Sequence, residues 1–232
     1  MSALLAPLDA IVFDCDGTLS RIEGIDELAR MNGVGEKVAA LTADAMGNTG
    51  LTPELYTERL AITKPSLEQV HALGKTYYEY RTPDVEWVIH TFHQLGKAVY
   101  IISAGLFAAV NLFAKALGVP EERVFAVSLF FDHHHQYLDF DRESPLIHGA
   151  GKRTVLEKIK DQHPRLAFIG DGLNDYAAHD LVTRFIGYGG VYYRENIENM
   201  CEYYVKDASM KSVLKLCLTE KEREGTQSIS HG

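Results

Sequence analysis

Residues 10–18 read AIVFDCDGT, an apolar run that ends at two acidic residues and a glycine. The run AIVF is β-branched or aromatic, is too short for a helix and lacks an alternating polar face. Such a run is typical of a strand buried on both faces of a parallel sheet. The runs AVYII at 98–102 and LAFI at 166–169 have the same character. The sequence therefore predicts three central strands.

Helical patterns occupy the intervals between these runs. Apolar residues recur at helical spacing in 84–96, and a shorter stripe lies in 154–160. Strands that alternate with helices predict an α/β fold built on a Rossmann-like parallel sheet. Residues 124–141 differ, because two β-type runs flank the polar sequence at 132–136 and predict a hairpin.

Residues 24–81 contain helical patterns and no strand pattern. Ser66 and Gln69 form a capping box at the start of one helix. Thr52 and Pro53 begin another helix, with proline at the first helical position, where its missing N–H costs nothing. This interval is therefore expected to form a helical insertion in the α/β fold.

The same patterns give the expected domain boundaries. We expect a core domain that comprises 1–18 and 82–218, with a helical cap domain inserted at 19–81. The segment 219–232 is polar and has no periodicity, and we expect it to be disordered.

Composition and charge narrow the possible functions. The chain has 232 residues, an apolar fraction of 46% and a formal net charge of -9. The acidic balance argues against nucleic acid as the main partner. No stretch approaches the ~18 apolar residues of a membrane span, and no basic leader precedes the first strand. Three scattered cysteines predict neither a disulfide framework nor a zinc site, so we expect a reducing cytoplasm.

Polar residues follow each of the three buried runs. Asp14 follows the first, Ser103 the second and Asp171 the third. The carboxyl ends of parallel strands line one edge of an open sheet, where ligands bind, so these residues are expected to converge. The pairs Asp14 with Asp16 and Asp171 with Asp175 would suit a hard cation such as Mg²⁺. Taken alone, each pair is a weak signal, since two acids this close also occur by chance.

Lys152 follows Gly149-Ala150-Gly151 and is expected to open a helix. Its ammonium could counter an anion at the same sheet edge, although a lone lysine is more often a solvated surface residue. His133-His134-His135 could suggest a metal site, but adjacent side chains point in different directions and cannot chelate one ion well. We interpret these histidines as the solvated tip of the predicted hairpin.

Together these segments resemble the haloacid dehalogenase superfamily. DCDGT at 14–18, Ser103 within IISAG, Lys152 and GDGLND at 170–175 match the four motifs of that family in order. The resemblance implies an α/β core and a Mg²⁺-dependent phosphatase. Asp14 would attack phosphorus and become an aspartyl phosphate, which splits one hard hydrolysis into two easier steps.

The resemblance also implies roles for the remaining motif residues. Asp16 would protonate the leaving alkoxide and then deprotonate the attacking water. Ser103 and Lys152 would bind phosphoryl oxygens during transfer. The implied metal ligands are Asp14, the backbone carbonyl of Asp16, Asp171 and the supporting Asp175. The presence of Asp16 argues against a dehalogenase, whose pattern lacks the second acid.

Residues 21–60 resemble the phosphoserine phosphatase family within this superfamily. The matching strings are RIEGIDELAR at 21–30, AMG at 45–47 and TERL at 57–60. The resemblance implies hydrolysis of O-phosphoserine to serine and phosphate, the last step of serine biosynthesis. Glu23 would accept hydrogen bonds from the substrate ammonium, and Arg59 would clamp its carboxylate. The further substrate contacts that we carry over are Met46, Ser103, Ala104, Lys152, Asn174 and Arg194.

Three of these substrate contacts, Glu23, Arg59 and Met46, have a structural alternative. Glu23 could cap the first helix of the insertion near its positive end. Arg59 could be a solvated helix residue, and Met46 could be part of the core. The chain also departs from the family at Gly17, where Ser is common, and at Ala104, where Gly often follows the motif Ser.

A third departure concerns the lid over the substrate. Thr52 stands where a larger apolar residue is expected, which could broaden specificity. A phosphatase or phosphotransferase for phosphothreonine, phosphohomoserine or phosphoethanolamine therefore remains an alternative. A non-catalytic module that binds a phosphorylated ligand is another, although such a module would normally lose Asp14, Asp16 or Lys152. The expected partner is a small phosphomonoester, neither nucleic acid nor a membrane, and the expected assembly is a monomer or homodimer.

Overall fold

A six-stranded parallel sheet forms the centre of the chain in a computed structural model that describes residues 3–44 and 50–229. The strands are β1 (Ala10–Phe13), β2 (Ala98–Leu106), β3 (Val124–Val127), β4 (Leu129–Phe131), β5 (Tyr137–Phe140), β6 (Leu166–Gly170), β7 (Arg184–Tyr188) and β8 (Tyr203–Val205). The order across the sheet is β3-β2-β1-β6-β7-β8, and every neighbouring pair is parallel. This topology confirms the predicted α/β fold.

The three predicted central strands are confirmed as β1, β2 and β6. β1 is buried along its whole length, because β2 and β6 flank it and helices cover both faces of the sheet. β2 extends past the predicted run to Leu106. β7 and β8 extend the sheet beyond β6 and were not predicted.

β4 and β5 form the predicted antiparallel hairpin. His133, His134 and His135 lie exposed at its tip, and His135 adopts a left-handed φ of 60° that closes the turn. The prediction is wrong for Val124–Val127, which joins the main sheet as β3 instead of the hairpin. The sequence VFAV is apolar throughout and did not distinguish these two kinds of strand pairing.

Helices surround the sheet and fill the interval after β1. They are α1 (Gly24–Met31), α2 (Gly35–Asp44), α3 (Pro53–Thr63), α4 (Leu67–Glu79), α5 (Val85–Gln94), α6 (Phe107–Ala116), α7 (Gly151–Gln162), α8 (Leu173–Tyr176), α9 (Glu195–Met200), α10 (Leu214–Cys217) and α11 (Glu220–Ile229). In the part of the chain that the structure describes, no helix is both long and apolar enough to cross a membrane.

Along the chain, helices α1 to α4 come between β1 and β2, as the sequence predicts. Ser66 and Gln69 form the predicted capping box of α4. Thr52 is the N-cap of α3, where its hydroxyl accepts a hydrogen bond from the Leu55 amide at 3.3 Å. Thr52 therefore starts a helix, and this capping role explains a small polar residue at that position.

The packing of α4 against α6 joins this helical insertion to the sheet. The two helices approach closely at Gly74, where an added Cβ would lie 2.8 Å from the Cβ of Leu112. Real Cβ atoms do not come so close, so the contact requires a glycine. The insertion is thereby held against a helix that directly follows β2.

The segment after Leu218 forms helix α11, so the expectation of disorder is wrong for residues 220–229. One carboxylate oxygen of Glu222 accepts hydrogen bonds from the amide and hydroxyl of Thr219, at 2.8 and 2.9 Å. The other lies 2.6 Å from Nζ of the buried Lys97. A cap and a tertiary ion pair thus stabilise a helix that has no clear apolar periodicity.

Candidate active site

The predicted site residues meet at one edge of the sheet. Phe13 is in register with Ile101 of β2 and Ile169 of β6, so the residues that follow these three positions lie near one another at this edge. A cavity of about 110 Å³ opens at this edge. The predicted residues that line the cavity are Asp14, Asp16, Glu23, Arg59, Ser103, Ala104, Lys152, Asp171, Asn174 and Arg194. Met46 lies outside the described residues.

Three buried carboxylates form a cluster beside the cavity. One oxygen each from Asp14, Asp171 and Asp175 lies within 4.8 Å of the others. This donor set contains only carboxylate oxygens, which hard divalent cations prefer. The side chain of Asp16 is not part of the cluster, so its predicted contribution to metal binding could come only from its backbone carbonyl.

The crowding of these carboxylates is visible in their pKa values. Burial and the neighbouring Asp175 raise the pKa of Asp14 well above its ordinary value. The same two causes raise the pKa of Asp171 to about 6. A divalent cation among these groups would favour their ionised forms, so the residues fit a bound metal ion.

Lys152 lies buried beside two of these carboxylates. Its Nζ lies 2.6 Å from Oδ1 of Asp14 and 2.6 Å from Oδ1 of Asp175, with the lysine side chain only 2% exposed. Burial alone would lower the pKa of Lys152, but the two carboxylates raise it above its ordinary value. The alternative of a solvated surface lysine is therefore wrong.

The start of α7 places this lysine. An added Cβ at Gly151 would lie 1.7 Å from the carbonyl oxygen of Pro145, so the helix can begin here only with glycine. A similar limit applies at Gly17, where φ is 68° and a Cβ would lie 2.9 Å from Oδ2 of Asp171. Glycine instead of the family's common serine at position 17 is thus explained by this close approach.

Asp16 accepts three hydrogen bonds. The Gly24 amide donates to its Oδ1 at 2.6 Å, and the Tyr77 hydroxyl donates to the same oxygen at 2.8 Å. The Ser103 hydroxyl donates to Oδ2 at 3.3 Å. Burial raises the pKa of Asp16 above its ordinary value, partly offset by these hydrogen bonds. A carboxyl group with a raised pKa beside a cavity is suited to proton transfer.

The two segments that join the sheet to the helical insertion, one after β1 and one after α4, are hydrogen-bonded to each other. The Arg21 amide donates to the Tyr80 carbonyl at 2.9 Å, and the Thr82 amide donates to the Leu19 carbonyl at 2.8 Å. This pairing brings the last turn of α4 next to the loop that follows β1. Tyr77 reaches Asp16 for this reason.

Glu23 and Arg59 present opposite charges to the same cavity. Oε1 of Glu23 and Nε of Arg59 are both buried and have no hydrogen-bond partner within 3–44 and 50–229. Native proteins rarely bury polar atoms in this way unless water or a ligand satisfies them. Burial lowers the pKa of Arg59, and burial with the nearby Asp16 raises the pKa of Glu23 well above its ordinary value.

The alternative is wrong for Arg59, whereas Glu23 does stand at the start of the first helix of the insertion. Glu23 is the N-cap residue of α1, but its side chain makes no capping hydrogen bond. Arg59 is 8% exposed, and therefore is not a solvated helix residue. Its Nη1 lies 3.5 Å from the hydroxyl of Thr42, which donates to Asp26 at 2.7 Å.

The remaining predicted residues lie around the cavity rim. Arg194 forms an ion pair with Asp171, with 3.0 Å between Nη2 and Oδ2. The carbonyl oxygen of Ala104 accepts a hydrogen bond from the Tyr56 hydroxyl at 3.1 Å. Tyr56 and Tyr77 line the cavity and were not predicted, since each has the spacing of an ordinary helix core residue.

Comparison with known proteins agrees with this geometry. A family model described as haloacid dehalogenase-like hydrolase matches residues 8–179. Phosphoserine phosphatase of Bos taurus is 33% identical over 206 residues, which cover 88% of this chain and 92% of that protein. The phosphoserine phosphatase of Homo sapiens is 34% identical over 201 residues, covering 86% and 89%. The chain belongs to the phosphoserine phosphatase family of haloacid dehalogenase-like hydrolases.

A solved structure also resembles this fold. It is described as a phospho-aspartyl intermediate analogue of phosphoserine phosphatase, and it is 25% identical with a TM-score of 0.78. The alignment covers 92% of this chain and 100% of that one. Phosphatases of the haloacid dehalogenase superfamily use a metal ion, and the buried carboxylate cluster of this family member could bind one.

Proposed function

We propose that the chain is a Mg²⁺-dependent phosphomonoesterase that hydrolyses O-phosphoserine to serine and phosphate. The observation that carries the proposal is the single cavity that joins two kinds of group. The cavity is lined by Asp14, Asp171 and Lys152, and also by Glu23 and Arg59. Oε1 of Glu23 and Nε of Arg59 have no hydrogen-bond partner among the described residues. Relatives named phosphoserine phosphatase, at 33% and 34% identity, support the same substrate.

The reaction proceeds in two displacements at phosphorus. A carboxylate oxygen of Asp14 attacks, the bond from phosphorus to the serine oxygen breaks, and that oxygen takes the electron pair. Asp16 donates a proton to the departing serine oxygen. Water then attacks the aspartyl phosphate, Asp16 takes a proton from the water, and Asp14 and phosphate are released.

Cations offset the repulsion between Asp14 and the phosphoryl group. Lys152 and the Ser103 hydroxyl bind phosphoryl oxygens, where charge is stabilised during transfer. Mg²⁺, held by Asp14, Asp171 and Asp175, would supply further charge compensation when bound. The side chains of all these residues are buried, and electrostatic interactions are stronger away from water.

The opposite end of the cavity recognises the amino-acid part of the substrate. Glu23 accepts hydrogen bonds from the ammonium, and Arg59 donates two to the carboxylate. These bonds would satisfy Oε1 of Glu23 and Nε of Arg59, two of the buried polar atoms that have no hydrogen-bond partner among the described residues. Further substrate contacts are proposed for Met46, Ala104, Asn174 and Arg194.

The helical segment 19–81 acts as a cap over a core formed by 1–18 and 82–218. Its opening admits substrate, and its closing excludes water during phosphoryl transfer. Serine release would be the last step of serine biosynthesis. Three free cysteines support a reducing compartment such as the cytoplasm, although one plant relative is named chloroplastic.

A panel of phosphate esters tests the proposed function. Phosphate release is measured with Mg²⁺, with and without EDTA, for L- and D-phosphoserine, phosphothreonine, phosphohomoserine, phosphoethanolamine, a sugar phosphate and p-nitrophenyl phosphate. We expect metal-dependent activity with the highest kcat/KM for phosphoserine, and its loss in Asp14→Asn. A higher value for another ester would reassign the substrate, and inactivity on every ester would favour a non-catalytic phosphate-binding module.

A further inference from the structure

We propose that Tyr77 is a positioning residue that orients Asp16 so that Oδ2 alone exchanges the catalytic proton. The inference rests on the proposed phosphatase function and adds a residue that lies outside its four motifs. Tyr77 does not react itself. It acts through Asp16, by occupying one of the two oxygens of that carboxyl group.

The two oxygens of Asp16 have different surroundings. Oδ1 accepts hydrogen bonds from the Gly24 amide at 2.6 Å and from the Tyr77 hydroxyl at 2.8 Å. A carboxylate oxygen has about two lone-pair sites, so Oδ1 has none left for a proton. Among the described residues, Oδ2 accepts one longer hydrogen bond, from the Ser103 hydroxyl at 3.3 Å. The proton of the acid form of Asp16 therefore belongs on Oδ2, the oxygen that contacts Ser103.

The Tyr77 hydroxyl is held rigidly in place. Tyr77 is fully buried, and its ring stacks on Phe113 with 5.8 Å between the ring centroids. Its carbonyl oxygen accepts a hydrogen bond from the Ser20 hydroxyl at 3.1 Å. At Gly24 an added Cβ would lie 2.0 Å from the hydroxyl oxygen of Tyr77, so a glycine is required beside this hydroxyl. Such preorganisation avoids reorientation during the reaction.

Both donors to Oδ1 belong to the helical insertion, whereas Asp16 follows β1. Gly24 begins α1, and Tyr77 lies in the last turns of α4. The orientation of the acid therefore depends on the insertion lying against the sheet. Asp16 is fully oriented only when this packing is in place.

The proton balance is simple. Asp16 gives the proton on Oδ2 to the serine oxygen as the bond to phosphorus breaks, and Oδ2 takes the charge. When water attacks the aspartyl phosphate, the same oxygen takes a proton back. Tyr77 keeps its own proton in both steps, and its hydrogen bond to Oδ1 is maintained.

Two substrates with different leaving groups test this role. Serine leaves as an alkoxide and needs the acid, whereas p-nitrophenolate is stable as an anion and does not. The constant kcat/KM covers only the steps up to departure of the alcohol, so the later hydrolysis of the aspartyl phosphate does not contribute. For Tyr77→Phe we expect kcat/KM to fall about tenfold for phosphoserine and less than about twofold for p-nitrophenyl phosphate.

Tyr188→Phe is the matched control. It removes another buried hydroxyl, which donates to the Ala208 carbonyl at 2.9 Å. Tyr188 does not line the cavity. This variant should change kcat/KM neither for phosphoserine nor for p-nitrophenyl phosphate. If Tyr77→Phe does not fold, as judged by circular dichroism and melting, replacement of Tyr77 by 4-aminophenylalanine retains a weaker N–H donor. That variant should show an intermediate loss, again selective for phosphoserine.

The outcomes separate this inference from the proposed function. Equal losses on both substrates, or no loss on phosphoserine, would overturn the role of Tyr77. A wild-type protein that hydrolyses neither ester would overturn the proposed function instead. If the wild type prefers another alkyl phosphate, the same comparison is made with that ester and decides the role of Tyr77 in the same way.

Discussion

The ammonium of Lys152 lies 2.6 Å from the carboxylate of Asp14, and both side chains are almost completely buried. The same ammonium lies 2.6 Å from Asp175. Charges removed from water in this way are tolerated only when they are paired. The pairing therefore offsets part of the cost of burying these charges before any phosphate binds, and it holds the attacking carboxylate beside the cation that would bind the phosphoryl oxygens.

Lys152→Met should affect both stability and catalysis. Removal of one partner leaves buried carboxylates without their cation, and the free energy of unfolding should fall by about 3–5 kcal/mol. Loss of the cation should lower kcat by roughly 100- to 1,000-fold. Urea denaturation and phosphate release measure the two effects. Lys115→Met, in an exposed pair with Glu121, is the control and should change neither noticeably. Equal stability of the two variants would contradict the structural role.

Asp16→Asn should slow turnover and leave substrate binding nearly intact. The amide is similar in shape but cannot donate the carboxyl proton to the serine oxygen or take one from water. We expect kcat to fall by roughly 100- to 10,000-fold. Binding is measured by titration calorimetry with phosphoserine and the variant. An unchanged kcat would contradict the acid–base role, and lost binding would indicate a structural role for the carboxylate instead.

The catalytic edge of the sheet was predictable because it depends on local patterns. Runs such as Ala10–Phe13 are apolar throughout, and the parallel topology then brings Asp14 and Asp171 together. β7 was missed because it begins with Arg184, which is buried and donates to the Leu216 carbonyl at 2.8 Å. A charged residue conceals a strand when its partner lies elsewhere in the chain.

Tyr77 shows the same limit at the site. Its position in α4 has the spacing of a core residue, and its contact with Asp16 spans 61 positions of sequence. Nothing local distinguishes a tyrosine that fills the core from one whose hydroxyl reaches an acid. By contrast, Glu23 and Arg59 were found only through resemblance to a family, since as single residues each has an ordinary structural explanation.

Arg59→Ala should distinguish substrates by their carboxylate. Phosphoethanolamine is phosphoserine without that group, so its KM should change little. The KM for phosphoserine should rise about 10- to 100-fold, because a charged hydrogen bond is lost. Glu23→Gln is the complementary variant, since both substrates carry an ammonium and both should be bound more weakly. Equal effects of Arg59→Ala on the two substrates would contradict carboxylate recognition.

Glu222→Gln should destabilise the fold without touching the active site. Glu222 lies 2.6 Å from Nζ of Lys97, whose side chain is only 2% exposed. The amide removes the negative charge opposite that ammonium, which also donates to the Leu8 carbonyl at 2.9 Å. At neutral pH the free energy of unfolding should fall by about 1.5–3 kcal/mol, with kcat unchanged. Glu220→Gln, at an exposed position of the same helix, should have a much smaller effect.

The pH dependence of this difference tests its electrostatic origin. Partial burial favours a higher pKa for Glu222, but hydrogen bonds from Lys97 and Thr219 lower it overall. A carboxyl group whose pKa is lower in the folded state contributes its stabilisation fully above the ordinary glutamate pKa. The contribution of Glu222 to stability is lost as the pH falls through the pKa that this group has in the folded state. The stability gap between wild type and Glu222→Gln should therefore be constant near neutral pH and shrink within this acidic window. A gap of the same size at every pH would indicate lost packing, not a lost ion pair.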